Sequence, residues 1–127
     1  ADNKIFLSWD DIGILVEKLC KKIYMSTLPI NSVHGLRRGG YIPAVMVSHQ
    51  LNLPYSEAVH EDTLIIDDIC DSGKTLENAP GLYNAVLHYK PHTSSVVPTL
   101  WVSEVGDEWI VYPWERNDSK TIQDYKI

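Results

Sequence analysis

The first long apolar pattern in the chain has helical spacing. Its members are Ile12, Leu15, Val16, Leu19 and Ile23. This period predicts an amphipathic helix over residues 9–25, because residues three and four apart share one face of a helix. Ser8 and Asp11 favour a helix start here, since a serine followed three residues later by an acid is close to a capping box.

Shorter apolar runs between turn residues predict strands. They cover residues 4–7, 32–36, 85–89, 99–102 and 109–111, and residues 63–80 predict a strand, a loop and a short helix. Another helix is predicted over residues 41–51, with Pro43 in its first turn, where proline is tolerated. Strands that alternate with helices predict an α/β fold with a mainly parallel, twisted sheet and helices on both faces.

Length and composition are typical of one soluble domain. The chain has 127 residues, 44% hydrophobic and 22% charged, so we expect a single domain over residues 1–127. No apolar run approaches the roughly 20 residues needed to span a bilayer, and the formal net charge of −6 argues against a nucleic-acid partner. Cys20 and Cys70 lack metal-ligand spacing, so we expect buried thiols in a reducing, cytoplasmic compartment.

The predicted strand that begins at Thr63 carries the most specific chemistry. Its apolar residues lead into Asp67 and Asp68, and the loop sequence Asp71-Ser72-Gly73-Lys74-Thr75 follows. Carboxylates at a strand end, followed by free main-chain N–H groups at a helix start, can hold a sugar hydroxyl, a metal ion and a phosphate together. Two solvated acids are the simpler reading of the pair alone, but they do not account for the loop.

Gly73, Lys74 and Thr75 also match the end of a P-loop. That pattern requires a glycine at position 68, where this chain has Asp68. A carboxylate there would repel the phosphate that a P-loop wraps, so the sequence argues against a P-loop nucleotidase.

The whole run from residue 63 to residue 76 resembles, in register, the ribose-phosphate-binding signature of the type I phosphoribosyltransferases. The resemblance implies that fold and a 5′-phosphate site. The residues implied at the 5′-phosphate are Ser72, Gly73, Lys74 and Thr75.

The same resemblance gives roles to three acids. Asp67 and Asp68 would bind the ribose hydroxyls, and Asp68 would also contact Mg²⁺, the implied cofactor. Asp71 stands where the family has its general base, near the purine N7. A carboxylate there could also stabilise positive charge on the ribose ring.

The sequence Arg37-Arg38-Gly39-Gly40 lies between a predicted strand and a predicted helix. Glycines let the main chain approach a ligand, and arginine and a helix start both favour phosphate. A surface turn is the alternative reading. The segment resembles the pyrophosphate loop of the same family, which often has a cis peptide before the arginine, so the Arg37–Arg38 bond is the candidate.

Residues from about 90 to 115 resemble the hood of bacterial xanthine-guanine phosphoribosyltransferases. By that resemblance Lys90 contacts the purine O6, Trp109 stacks on the base, and Ile110 reads the base with its main chain. A lysine donor favours 6-oxopurines over adenine, whose 6-amino group is itself a donor. The alternatives are a packing role for Trp109 and a solvated strand end for Lys90.

The chain departs from the family in one place. Family members usually have a long flexible loop before the acidic strand, and here only residues 52–62 fill that interval. The lid is therefore expected to be missing or vestigial, although Tyr55, Ser56 or His60 could supply part of it. The five histidines show no metal-ligand spacing and receive no role. The polar tail from residue 115 is expected to be loosely ordered or to pack on a partner.

Together these resemblances imply transfer of a phosphoribosyl group from phosphoribosyl pyrophosphate to a 6-oxopurine, by a homodimer or homotetramer. Two alternatives stay open. The fold could bind phosphoribosyl pyrophosphate or a nucleotide as a regulator without chemistry, or the acceptor could be another base.

Overall fold

The computed structural model describes residues 3–116 of the chain. The polar tail predicted from residue 115 lies outside this range except for its first two residues. Within that range the helices are α1 (Trp9–Ser26), α2 (Tyr41–Leu51) and α3 (Lys74–Asn78). The strands are β1 (Lys4–Phe6), β2 (Ser32–Gly35), β3 (Thr63–Cys70), β4 (Tyr83–Tyr89), β5 (Leu100–Glu104) and β6 (Trp109–Val111).

Four parallel strands form the main sheet in the order β2-β3-β4-β5. Helices α1 and α2 cover one face, where Val16 and Leu19 pack with Leu64 and Leu87 in the main core. Leu76 of α3 packs in a second cluster with residues of β3 and β4. Helices therefore lie on both faces, and the predicted α/β fold is confirmed.

Helix α1 begins as its sequence predicts. The Asp11 N–H donates to Ser8 Oγ at 3.1 Å, and the Ser8 N–H donates to Asp11 Oδ2 at 2.8 Å. This reciprocal capping box satisfies two main-chain donors that the first turn leaves without helical partners. The helix is thereby fixed at the point where the chain leaves β1.

A second, two-stranded parallel sheet pairs β1 with β6, placing Lys4 beside Trp109 and Phe6 beside Val111. Its ends are extended by hydrogen bonds from Trp109 N to Asn3 O at 2.8 Å and from Leu7 N to Val111 O at 3.0 Å. The amino-terminal strand therefore belongs to the same layer as the predicted hood, which the sequence had placed only in residues of about 90 to 115.

The short interval 52–62 lies along the free edge of β2. Tyr55 forms a parallel bridge with Val33, the Ser56 N–H donates to Val33 O at 2.8 Å, and the Tyr55 hydroxyl accepts from Gly35 N at 3.1 Å. These contacts hold Tyr55 and Ser56 on the sheet edge. The His60 N–H donates to Thr63 Oγ1 at 3.0 Å, so His60 leads directly into β3.

Cys20 and Cys70 are both buried free thiols, as expected. Burial raises the pKa of Cys20 to about 11 and also raises the pKa of Cys70. Among residues 3–116, no helix is both long and apolar enough to cross a membrane.

Candidate active site

The two central acids lie inside β3 rather than at its end, because the strand continues to Cys70. Strand β2 stops with Gly35 opposite Ile66, so β3 runs four residues beyond its neighbour. Asp67 and Asp68 are only 4% and 9% exposed. Their carboxylates bond to the adjacent main chain: Asp68 N donates to Asp67 Oδ1 at 2.9 Å, and Ile69 N donates to Asp68 Oδ1 at 2.7 Å.

The loop after β2 turns into the space beside this overhang. The Leu36 N–H donates to Ile66 O at 2.9 Å, and the Arg37–Arg38 peptide bond is cis, as the resemblance implied. A Cβ on Gly39 would collide with the Asp68 carboxylate, and one on Gly40 would collide with the Ile66 carbonyl oxygen. The two glycines are therefore what allows the loop and the acids to meet.

The predicted 5′-phosphate loop follows β3 and opens α3. Gly73 is the residue before the helix and has a φ of +86°, a conformation that favours glycine. A Cβ there would lie 2.7 Å from Ser94 Oγ, and the Ser95 N–H donates to Ser72 O at 2.8 Å. The Lys74 N–H lies 3.3 Å from Ser72 Oγ, and Thr75 is in the first turn of α3. Residues 94 and 95 thus support this loop from behind.

Asp71 connects the end of β3 to the start of the hood. Lys90 is 6% exposed, and its Nζ lies 4.0 Å from Asp71 Oδ2. Thr93 Oγ1 lies 3.1 Å from Asp71 Oδ1 and 3.0 Å from the Asp71 main-chain oxygen, so its single proton can reach either acceptor. The Asp71 carboxylate therefore lies close to the Lys90 ammonium group, and Thr93 also contacts the carboxylate.

A cavity of about 370 Å³ opens beside this pair. Its lining residues are Lys90, His92, Thr93, Gly106, Asp107 and Trp109. The Trp109 ring centroid lies 5.8 Å from Lys90 Nζ, within the range of a cation–π contact. The structure therefore brings together an aromatic face and a cationic donor on one cavity.

Ile110 follows Trp109 in β6 but buries its side chain in the main core. Trp109 and Val111 bond to the β1 side through their main chains. Because successive residues in a strand direct their main-chain groups to opposite edges, the Ile110 N–H and carbonyl face away from β1. Ile110 is not among the residues that line the cavity, so its contact with the base stays a prediction.

Sequence reasoning gave no role to four residues of this cavity, which are His92, Thr93, Gly106 and Asp107. His92 Nε2 lies 3.2 Å from Asp107 Oδ1, and both side chains are well exposed. They are 15 positions apart, so no local spacing pairs them. The only available signal was their proximity in sequence to Lys90 and Trp109.

The donor set near β3 fits a magnesium ion that shares its ligands with a substrate. No group of three or more His, Cys, Asp or Glu side chains able to hold a metal occurs in residues 3–116. Mg²⁺ commonly uses one or two carboxylates, with substrate phosphates and waters completing an octahedron. Asp67 and Asp68 could supply carboxylate oxygens of that kind.

Comparison with known proteins decides the family. The xanthine-guanine phosphoribosyltransferase of Cereibacter sphaeroides is 32% identical over an alignment 115 positions long, and the match covers 66% of this chain and 68% of that protein. No family profile matches the chain. The chain belongs to the type I phosphoribosyltransferases.

Solved structures agree with this assignment. The purine phosphoribosyltransferase of Pyrococcus horikoshii superposes with a TM-score of 0.76 at 27% identity, covering 95% of this chain and 99% of that one. The xanthine-guanine-hypoxanthine phosphoribosyltransferase of Helicobacter pylori, at 17% identity and a TM-score of 0.75, covers 89% of this chain and 94% of that one, and shows the shared fold. The type I phosphoribosyltransferase fold and the enzyme class predicted from the sequence are therefore confirmed.

Proposed function

We propose that this phosphoribosyltransferase joins a 6-oxopurine to the ribose of phosphoribosyl pyrophosphate. A ring nitrogen of the base forms a bond to C1 of the ribose, and the bond from C1 to the pyrophosphate oxygen breaks. The base loses one proton, and the products are a nucleoside 5′-monophosphate and pyrophosphate. The named relatives from Cereibacter and Pyrococcus, which are xanthine-guanine and purine enzymes, support this substrate class.

The observation that carries the choice of base is the position of Lys90. It is buried, yet it lines the same cavity as Trp109, and its ammonium group lies 5.8 Å from the centroid of the Trp109 ring. A purine stacked on Trp109 would present its 6-substituent to that donor. An oxygen accepts a hydrogen bond from the ammonium group, whereas the amino group of adenine offers only a further donor at that position.

The two loops around the acid pair are proposed to hold the sugar phosphate. Ser72, Gly73, Lys74 and Thr75 would bind the 5′-phosphate at the start of α3. Arg37, Arg38, Gly39 and Gly40 would bind the departing pyrophosphate, whose charge arginine side chains can neutralise.

Asp67 and Asp68 would bind the ribose hydroxyls, and Asp68 would help to hold Mg²⁺. The ion, when bound, neutralises charge on the pyrophosphate and orients it. Because both carboxylates already bond to main-chain N–H groups, little reorganisation is needed when the substrate arrives.

Asp71 is proposed as the catalytic carboxylate. It would accept the proton that the base loses, or stabilise positive charge on the ribose ring as the pyrophosphate bond lengthens. Its carboxylate contacts Thr93 and Lys90. Both of these residues line the cavity that would receive the base, which supports a position for Asp71 close to the reacting atoms.

The enzyme is further proposed to act in the cytoplasm as a homodimer or homotetramer. Large apolar side chains of the described surface support self-association, since Phe6 and Trp9 are each 55% exposed and Tyr41 and Val45 each 47%. Light scattering across a range of protein concentrations measures the assembly directly, and a monomer at all concentrations would contradict this part of the proposal.

One observation favours a second function. Tyr55 and Ser56, which could have formed part of a lid, are bonded to the outer edge of β2 instead. Lid closure normally excludes water from the reacting centre. A site without that cover could serve as a sensor that binds phosphoribosyl pyrophosphate or a nucleotide without turnover.

One assay separates these functions. Pyrophosphate release from phosphoribosyl pyrophosphate and Mg²⁺ is measured with guanine, xanthine, hypoxanthine, adenine, uracil or no base. We expect release that requires a 6-oxopurine. Release only with adenine or uracil would overturn the base assignment, and release without any base would indicate hydrolysis. No release, together with calorimetric binding of phosphoribosyl pyrophosphate, would establish the sensor.

A further inference from the structure

Tyr112 connects the hood to the acidic strand through a buried hydrogen-bond chain. It follows β6, is 2% exposed, and stacks on Trp114 with ring centroids 4.8 Å apart and planes within 5°. Its hydroxyl lies 3.1 Å from the Asp68 main-chain oxygen and 2.7 Å from His88 Nδ1. One residue of β3 and one residue of β4 therefore meet at this phenol.

The direction of each bond follows from counting protons. A carbonyl oxygen can only accept, so the Tyr112 hydroxyl donates its single proton to Asp68 O. His88 Nδ1 must then carry a proton and donate it to the phenol oxygen. Burial lowers the pKa of His88 to about 4, so the ring is neutral near pH 7, with its proton on Nδ1. Burial and the nearby Asp68 carboxylate raise the pKa of Tyr112, which keeps the phenol protonated.

The phenol supplies a donor to a part of β3 that β2 does not reach. Strand β2 ends with Gly35 opposite Ile66, and the Ile66 carbonyl accepts from Leu36 N. Asp68 lies two residues beyond that point, and the register with β4 pairs Asp67 with Val86 and Ile69 with His88 but skips Asp68. Without Tyr112 the carbonyl of this buried residue would lose the hydroxyl that donates to it.

The bond to Asp68 also affects the carboxylate. The Asp68 carbonyl and the Ile69 N–H belong to one planar peptide unit. The Tyr112 hydroxyl holds the carbonyl end, while the Ile69 N–H donates to Asp68 Oδ1 at 2.7 Å. The orientation of this peptide plane therefore sets the orientation of the carboxylate.

We propose that Tyr112 is a positioning residue that couples the base-binding hood to the carboxylate of Asp68. Tyr112 lies three residues after Trp109 on the same hood segment. The stacking ring and the ribose-binding acid are thus held in fixed relation through one hydroxyl. This inference rests on the proposed function, because it assigns Asp68 to the sugar phosphate and Trp109 to the base.

The test compares Tyr112→Phe with Tyr89→Phe. Tyr89 is also buried and packs on an aromatic ring, that of Trp101, but on the opposite face of the sheet. We expect Tyr112→Phe to raise the KM for phosphoribosyl pyrophosphate about tenfold, with the KM for the base changed less than about twofold. Tyr89→Phe should leave both KM values unchanged. Equal KM values in wild type and Tyr112→Phe would overturn the proposal.

A second variant separates positioning from simple stabilisation. In His88→Leu/Tyr112→Phe the orphaned Nδ1–H donor is also removed, which should restore part of the thermal stability lost in the single variant. The Asp68 carbonyl still lacks its donor, so the raised KM should persist. If KM recovers together with stability, Tyr112 has only a structural role and the proposal is wrong.

A measurement without substrate keeps this inference separate from the proposed reaction. Amide exchange at Ile69, followed by NMR, should be about tenfold faster in Tyr112→Phe than in wild type or Tyr89→Phe. Faster exchange in a protein that transfers no phosphoribosyl group would refute the proposed function. It would still support the inference that Tyr112 fixes the peptide unit between Asp68 and Ile69. Unchanged exchange would overturn the coupling whatever the activity.

Discussion

Gly39 lies directly against the carboxylate of Asp68, with no room between them for even a methyl group. The contact joins the loop after β2 to the part of β3 that extends past it. Since Ile69 N holds one oxygen of that carboxylate, the other oxygen is confined by Gly39. A proposed pyrophosphate-binding loop and a proposed ribose-binding acid thereby fix each other in place.

Gly39→Ala should therefore displace either the loop or Asp68. Because misplacement by about 1 Å can cost about 100-fold in rate, we expect kcat/KM for phosphoribosyl pyrophosphate to fall by about that factor.

Gly13→Ala is the matched control, because a Cβ on Gly13 in α1 meets nothing within 4 Å. It should keep full activity and gain about 0.5–1 kcal/mol in unfolding free energy, since alanine is favoured over glycine inside a helix. Steady-state kinetics and urea unfolding check both variants, and an active Gly39→Ala enzyme would contradict the tight contact.

Asp71→Asn tests the proposed catalytic carboxylate. An amide keeps the shape of the side chain but cannot take up a proton or stabilise positive charge, so kcat should fall by about 10²–10⁴-fold. Binding of Mg²⁺ and phosphoribosyl pyrophosphate, measured by calorimetry, should change by less than about threefold, because Asp71 is not proposed to hold the phosphates. Asp10→Asn, in the first turn of α1, is the control and should behave as wild type. An unchanged kcat in Asp71→Asn would show that Asp71 is not the catalytic carboxylate.

The parts of the site that the residues alone indicate are those written in continuous runs, whereas Lys90 and Trp109 were predicted only through the resemblance to the family. The acids of β3 and the loop up to Thr75 are adjacent in sequence, and so are the residues from Arg37 to Gly40, which makes their chemistry visible as motifs. Strand and helix periods predicted the parallel sheet because each period is a local property of the chain.

The remaining features depend on partners far apart in sequence. Tyr112 reaches Asp68 across 44 positions and His88 across 24. Pairing of β1 with β6 joins the two ends of the described chain. A tyrosine in an apolar segment is typical of core packing, so its hydrogen bond to an active-site main chain has no local signature. Such contacts follow from how the elements pack.

Lys90→Met tests the choice of base. Methionine preserves most of the length of the buried side chain but removes the donor. A hydrogen bond from a charged group is worth about 1.5–3 kcal/mol, so kcat/KM for hypoxanthine or guanine should fall by about 10–100-fold. Activity with adenine, if any is present, should fall less. Lys21→Met, at an exposed position on α1, should change neither. An equal loss for adenine and hypoxanthine would show that Lys90 acts through Asp71 rather than through the purine O6.

The buried His88 predicts a specific loss of stability in acid. Its pKa is lowered by burial from 6.5 to about 4 in the folded protein, so between these values the unfolded chain binds the proton and the folded protein does not. Stability is therefore fully present above about pH 6.5 and falls as the pH drops towards 4. The 2.5-unit difference in pKa corresponds to about 3 kcal/mol of unfolding free energy.

Urea unfolding of wild type and His88→Leu from pH 7.5 to 4.5 measures this dependence of stability on pH. The variant should start less stable, because it loses the bond to Tyr112, yet it should lose less on acidification. His49→Leu, at an exposed histidine of α2, should follow the wild-type slope. Parallel curves for wild type and His88→Leu would mean that His88 is protonated, or accessible to water, in the folded protein.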